Sequence, residues 1–232
     1  MQNIFFKKIL QLDYRVDEAY KRLRTNLQLC GDEYRVIAVT SCIPNDGKST
    51  TSFNLAVSLS QLGKRVLYVD ADLRKSVIVK TYSAHGAKYG LSHYLTGMKP
   101  LNDVVGQTNI ENLYVITAGP VPPNPSELLG NARFESLISS SRKAFDYVII
   151  DTPPLGSVVD ASVVGRMCDG IVLVIPSNNI SYKFAQRVME DINQIDTKFL
   201  GVILNKFKGA EGGKYYGKYY GNYTDEYDPD AR

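Results

Sequence analysis

Gly47, Lys48, Ser49 and Thr50 follow the apolar run Arg35–Thr40 through the short loop Ser41, Cys42, Ile43, Pro44, Asn45, Asp46. A strand, a loop and then Gly-Lys-Ser at a helix start suit the binding of a polyphosphate. Backbone N–H groups from Asn45, Asp46 and Gly47, with the helix N-terminus, would cradle phosphate oxygens. The Lys48 ammonium would neutralise the β and γ oxygens, the Ser49 hydroxyl would ligate Mg2+, and Thr50 would contact the α-phosphate. The loop departs from the general pattern at its front, where Cys42 stands in place of a glycine.

Two more apolar runs end in acid. Val66–Asp70 continues as Ala71, Asp72, Leu73, Arg74, and Tyr147–Asp151 continues as Thr152, Pro153, Pro154. In an open α/β sheet the ligand lies beyond the carboxyl ends of the strands. Asp70, Asp72 and Asp151 are therefore expected on one Mg–nucleotide, with Asp72 and Asp151 joining Ser49 as metal ligands. Arg74 is either a charge partner near that site or a surface ion pair.

The elements that must position these residues are legible as short runs rich in Val, Ile and Leu: Arg35–Thr40, Val66–Asp70, Leu113–Thr117, Tyr147–Asp151, Ile171–Pro176 and Phe199–Leu204. They are continuous, as in strands buried on both faces. Phe53, Ala56, Leu59 and Leu62 recur at helical spacing before Gly63, a C-terminal stop. A second helix is expected at Asn124, Pro125, Ser126, Glu127, with Asn124 as cap and Glu127 completing a capping box. A charged, exposed helix is expected from about Val16 to Leu29, ahead of the first strand. Strand–helix alternation of this kind predicts a doubly wound, mostly parallel α/β sheet flanked by helices.

Composition narrows the classes. Across 232 residues, 27 Lys and Arg stand against 24 Asp and Glu, a net charge of +3 that does not by itself support nucleic-acid binding. No apolar run approaches the roughly 20 residues that span a bilayer. Ile4–Leu12 is short and broken by Lys7 and Lys8, unlike a signal peptide, so local packing is its expected role and the chain reads as cytoplasmic. Cys30, Cys42 and Cys168 show no Cys-x-x-Cys pairing, and His85 and His93 lack supporting metal ligands. The tyrosines are unevenly placed: Tyr215, Tyr216, Tyr219, Tyr220, Tyr223 and Tyr227 put six of 16 within 13 residues, among glycines, lysines and acids. With almost no aliphatic side chain to anchor it, that tail is expected to be flexible.

A phosphate loop, two acidic strand ends of which one reads Asp-x-Asp-x-Arg, and a tyrosine-rich tail together resemble the bacterial tyrosine kinases (BY-kinases). The segment from Thr117 to Leu129 resembles the capsule and exopolysaccharide-associated, CapB-like members. The resemblance implies a P-loop fold related to the MinD/ParA-type ATPases, with domain bounds of 1–30 for an N-terminal segment and oligomerisation helix, 31–209 for the kinase and 210–232 for the tail. It also implies an ATP- and Mg2+-dependent protein tyrosine kinase with Lys48, Asp70, Asp72 and Asp151 as catalytic residues. Asp70 would take the phenolic proton, and the tail cluster would be the autophosphorylation target, in trans. Asn205 would lie at the adenine. Glu18, Lys21 and Arg24 resemble the family's Glu-x-x-Arg-x-x-Arg motif for ring-like, octameric assembly, with lysine at its middle position. The implied partners are a transmembrane chain-length regulator whose cytosolic tail activates the kinase at the inner membrane face, and a cognate tyrosine phosphatase, in control of polysaccharide export. A MinD/ParA-type ATPase switch is the competing reading. It is disfavoured because positions 41–45 lack the Lys-Gly-Gly start of that class.

Overall fold

The structure, a computed structural model, describes residues 1–8, 12–177 and 179–207. In chain order its elements are β1 (Gln2–Phe6), α1 (Tyr14–Leu29), β2 (Val36–Ser41), α2 (Lys48–Ser60), β3 (Val66–Asp70), α3 (Ile78–Thr81), β4 (Ala84–His85), α4 (Leu91–Leu95) and α5 (Leu101–Val104). They continue as β5 (Gly106–Thr108), β6 (Leu113–Ile116), α6 (Pro125–Leu129), α7 (Ala132–Ala144), β7 (Tyr147–Asp151), α8 (Asp160–Gly165), β8 (Gly170–Pro176), α9 (Tyr182–Asn193) and β9 (Lys198–Asn205). The six expected strands are all present, each within one residue of its expected bounds.

The strands form one sheet in the order β4-β1-β5-β6-β3-β7-β2-β8-β9. Only the β1–β4 and β5–β6 pairs are antiparallel. Side chains alternate between the faces of a sheet, and here they divide into two cores. Val36, Ala38, Leu67, Val69, Val148 and Ile150 pack with Phe134 and Leu137 of α7 and Val188 and Ile192 of α9. Ile37, Val39, Val66, Tyr68 and Ile149 pack with Phe53 and Leu59 of α2 and Leu27 of α1. Helices therefore cover both faces, which is why the central strands β2, β3 and β7 are apolar and buried at nearly every position. At the sheet edge β9 departs from this, with Val202 and Leu204 exposed.

Three strands were not expected from the sequence. β4 has two residues and β5 is Gly106, Gln107, Thr108, too short and polar to show as apolar runs. β1 alternates, with Ile4 and Phe6 buried and Phe5 exposed, so local packing is the observed role of that part of the Ile4–Leu12 stretch. Phe6 meets Phe53 of α2 at 5.0 Å between ring centroids, and Phe53 meets Tyr82 at 4.2 Å. The expected capping box also needs correction. α6 is a five-residue helix, and the Asn124 amide donates to the Glu127 carboxylate (2.7 Å), so these side chains satisfy each other and not the backbone.

Candidate active site

The parallel register of β3 and β7 sets Asp70 directly opposite Asp151, so two acids meet at adjacent strand ends, both 1% exposed. The chain then turns, with the Ala71 N–H donating to the Asp151 carbonyl (2.8 Å). Asp72, also buried, follows. On the other side of β7, β2 leads through the 42–47 loop into α2, whose first residue is Lys48. Parallel strand order thus brings residues 48, 70, 72 and 151 to one end of the sheet.

Lys48 lies among the acids. Its Nζ donates to Asp72 Oδ2 at 3.1 Å, to Asp151 Oδ1 at 3.4 Å and to the Ser49 hydroxyl at 3.1 Å. Burial works against its charge, but Asp151 and Asp72 outweigh that and raise its pKa above the ordinary lysine value. Burial, and then the Asp151 charge, lift the Asp70 carboxyl to about 7, against the opposing pull of Ser76 and Lys48. Asp151 is also raised by burial, while Lys48 and the Ser49 hydroxyl hold it down. The two acids next to the phosphate loop are therefore held partly against ionisation, and the ammonium offsets the charge that remains.

The loop itself needs glycine at one position. Gly47 has φ of +90°, and a Cβ there would lie 2.2 Å from Asn205 Nδ2. Asn45 also has positive φ, +67°. The end of β9 closes over this loop: Asn205 Nδ2 donates to the Asp46 carbonyl (2.9 Å) and Lys206 Nζ to the Asn45 carbonyl (2.6 Å). Asp46 folds inward, its Oδ2 accepting from the Ile43 N–H at 3.0 Å, and burial raises its carboxyl. Asp46 Oδ1 is buried with no partner. Cys42, which replaces a glycine of the general pattern, is a core side chain whose thiol burial pushes up to about 11, a packing group and not a nucleophile. Thr50 turns its hydroxyl to the buried Tyr82 phenol, opposing the burial that raises it.

Sequence reasoning missed the supports of Asp70 and Asp72. The Ser76 hydroxyl donates to Asp70 Oδ2 (2.5 Å), the Asp72 N–H to Asp70 Oδ1 (3.2 Å) and the Lys75 N–H to Asp72 Oδ1 (2.9 Å). Of the two roles open for Arg74, the ion pair is the one found, made from an exposed guanidinium to a residue outside the group of Lys48, Asp70, Asp72 and Asp151. Its guanidinium grips the fully buried Asp160 at 2.8 and 3.0 Å. Asp160 begins a helix, where an acid reads as an ordinary N-terminal charge; no local signal marks it.

Magnesium takes hard oxygen ligands, commonly one or two carboxylates together with substrate phosphates. Asp72, Asp151 and Ser49 offer such donors, and the Lys48 ammonium already lies between the two carboxylates, so their oxygens fit a cation. Among the described residues no group of three or more His, Cys, Asp or Glu side chains forms a metal cage.

Away from the site, half-exposed Lys21 of α1 bridges Glu18 (2.7 Å) and Asp17 (2.9 Å). Arg24 instead turns inward, its Nη1 donating to the Ser58 carbonyl of α2 at 2.8 Å. Tyr215, Tyr216, Tyr219, Tyr220, Tyr223 and Tyr227 lie outside the described residues. No described helix is long and apolar enough to cross a membrane.

The AAA domain family matches residues 34–205. Tyrosine-protein kinase CpsD of Streptococcus agalactiae is 45% identical over 83% of this chain and 84% of its own length. The kinase domain of Escherichia coli tyrosine kinase ETK is 34% identical with a TM-score of 0.83, covering 90% of this chain and 83% of that one. The chimerical protein CapA2B2 is 33% identical with a TM-score of 0.81, covering 88% and 92%. MinD of Pyrococcus horikoshii, solved with Mg-ADP, is more distant at 25% identity and a TM-score of 0.66, covering 76% and 72%. The fold is that of the P-loop NTPases, and kinases match it over more of the chain, and at higher identity, than this ATPase does; the chain belongs to the bacterial tyrosine kinase family.

Proposed function

We propose that this tyrosine kinase uses ATP with Mg2+ and phosphorylates the tyrosine cluster of its own C-terminal segment in trans. The observation that carries this is the meeting of Lys48, Asp72 and Asp151 at the mouth of a phosphate loop, with buried Asp70 beside them. Backbone N–H groups of residues 45–47 and the start of α2 would cradle the phosphates, and Asn205, at the end of β9, would contact the adenine. Lys48 exchanges its carboxylate partners for the β and γ oxygens. Ser49, Asp72 and Asp151 would hold magnesium, which when bound supplies charge neutralisation on the transferring phosphoryl group.

The acceptor is a tyrosine hydroxyl, whose ordinary pKa near 10 leaves it neutral. Its oxygen forms a bond to the γ-phosphorus as the bond to the β–γ bridging oxygen breaks, giving phosphotyrosine and ADP. The phenolic proton passes to Asp70, whose burial raises its carboxyl above the usual carboxylate range and so toward the value that suits a base at neutral pH.

The same reading assigns residues 31–209 to the kinase, 210–232 to the acceptor tail and 1–30 to an assembly segment. Solvent-facing Glu18 and Lys21 would re-pair between subunits of an octameric ring, while Arg24 fixes α1 to α2. Each phosphate adds about −1.5 to −2 charges, so modified tails repel one another and loosen the ring. The likeness to CapA2B2 and to the CpsD kinase supports a cytoplasmic enzyme recruited by a membrane adaptor to control capsular polysaccharide export, with a phosphatase resetting the tail.

Purified protein incubated with γ-labelled ATP and Mg2+ tests this, beside Lys48→Met and a truncation before Lys214. Phosphotyrosine confined to Tyr215–Tyr227 and absent from both variants is the expected result. Release of inorganic phosphate with no labelled protein, with or without adaptor tail peptide, would overturn it.

A further inference from the structure

Asp160 is 0% exposed, carries a carboxylate, and takes no part in the site described above. A buried charge persists only where a partner is fixed against it. Here Asp160 Oδ2 accepts from Arg74 Nε (2.8 Å), and Oδ1 accepts from Arg74 Nη2 (3.0 Å) and the Ser126 hydroxyl (2.6 Å). Arg74 Nη2 also reaches Ser126 Oγ at 3.0 Å, closing a three-membered ring of hydrogen bonds. The ring joins three elements that sequence separates widely: the turn after β3, the start of α6, and the start of α8 beyond the Asp151 loop.

Arg74 sits at the centre of the turn that holds the two acids. On its C-terminal side, the Lys75 N–H and the Ser76 hydroxyl return to Asp72 and Asp70. On its N-terminal side, Leu73 is buried, with its N–H bonded to the Ala71 carbonyl. A planar guanidinium held at two points has little freedom, and a lysine cannot reproduce that fork. Pinning Arg74 therefore pins the donors on which both carboxylates depend.

We propose that Asp160 and Ser126 are positioning residues for Asp70 and Asp72, acting through Arg74. They set the direction from which Asp72 meets the metal–nucleotide and Asp70 meets the acceptor, without touching either. Groups that orient a metal-binding carboxylate typically change affinity or activity by about 10- to 100-fold when removed.

The test compares wild type, Asp160→Asn, Ser126→Ala and Arg74→Lys in the full chain. Mn2+ affinity of each protein with a non-hydrolysable ATP analogue is read from free Mn2+ by electron paramagnetic resonance. Analogue binding in EDTA is measured separately, and kcat and KM are measured on a tail peptide. The expected result is Mn2+ affinity and kcat lowered by about 10-fold or more in Asp160→Asn and Arg74→Lys, a smaller loss in Ser126→Ala, and metal-free analogue binding unchanged. Should Asp160→Asn not fold, Arg74→Lys still decides, because it keeps the charge that Asp160 needs. Wild-type Mn2+ affinity in these variants, or an equal loss of metal-free analogue binding, would overturn the proposal. The kinetic arm rests on the tyrosine kinase mechanism above. The Mn2+ arm does not, so a protein that phosphorylates no tyrosine leaves the positioning claim decided by the metal alone.

Discussion

Replacing Asp70 by Asn is expected to stabilise the ligand-free protein while abolishing catalysis. Asp70 is 1% exposed and lies opposite Asp151, and its carboxyl is raised from 3.8 to about 7. The native state therefore binds a proton more tightly than the unfolded chain, and stability falls as pH rises from about 4 through 7. At ~1.4 kcal/mol per pH unit, the raised carboxyl costs the fold about 4 kcal/mol at pH 8 relative to low pH, less than half of that at pH 5, and nothing below both values. Asn removes that cost and keeps a hydrogen bond at each of its side-chain atoms, since the Ser76 hydroxyl can rotate to accept from the new amide and the Asp72 N–H keeps its oxygen. For a domain of this size, 1 kcal/mol moves Tm by about 2–4 °C, so a rise of about 8–16 °C is expected at pH 8, less than half of that at pH 5, and none near pH 3.5. Thermal and urea unfolding of both proteins in EDTA across this pH range measures it. An Asn variant no more stable than wild type at pH 8, or a difference that does not change with pH, would refute the account of Asp70 as a destabilising buried acid.

Lys48→Met should lose phosphoryl transfer and also lower ligand-free stability by about 3 kcal/mol at pH 8 in urea unfolding, because Asp72 and Asp151 lose their buried counter-ion. The Met variant should regain part of that loss as pH falls and Asp151, already raised by burial, takes up a proton. Gly47→Ala places a methyl 2.2 Å from Asn205 Nδ2 at a φ of +90°, so nucleotide affinity by fluorescence titration should fall by about 10-fold or more, with β9 lifted from the loop. Arg24→Ala should reduce stability by about 1–2 kcal/mol, through its lost bonds to Ser58. Lys21→Ala should leave Tm unchanged while shifting oligomer size in sedimentation, and the opposite pattern would exchange the roles given to the two residues.

The part of this molecule that was legible in the sequence is the part whose geometry follows from local repetition. Strands buried on both faces must be apolar throughout, so β2, β3 and β7 announce themselves, and a parallel sheet then brings the residues after them together. Asp70, Asp72 and Asp151 needed only strand ends and strand order to be placed. Elements stabilised by partners distant in sequence left no such trace. β1 is an alternating strand beside two lysines, stable because Ile4 and Phe6 enter a core formed by α2. The Arg74–Asp160 pair spans 86 positions, and neither residue carries a local pattern that names the other. Arg24 shows the same limit. A helix this charged reads as exposed throughout, but Arg24 lies three positions from buried Leu27 and its long side chain reaches Ser58 of α2.

The site holds a charge imbalance that a cation with its nucleotide would correct under the proposed function. Asp70, Asp72 and Asp151 crowd one buried volume, with the Lys48 ammonium as the basic group lodged among them. The pKa shifts report the mismatch, with both strand-end acids raised by burial and the lysine raised by the acids. A fold optimised for stability alone would replace one of these acids by an amide. Under the proposed function, a divalent cation entering with its nucleotide would meet carboxylates already gathered and would free Lys48 for the phosphates. On that proposal the crowding is preorganisation for phosphoryl transfer, and the ring of Arg74, Asp160 and Ser126 would hold the turn carrying Asp72 against Asp151.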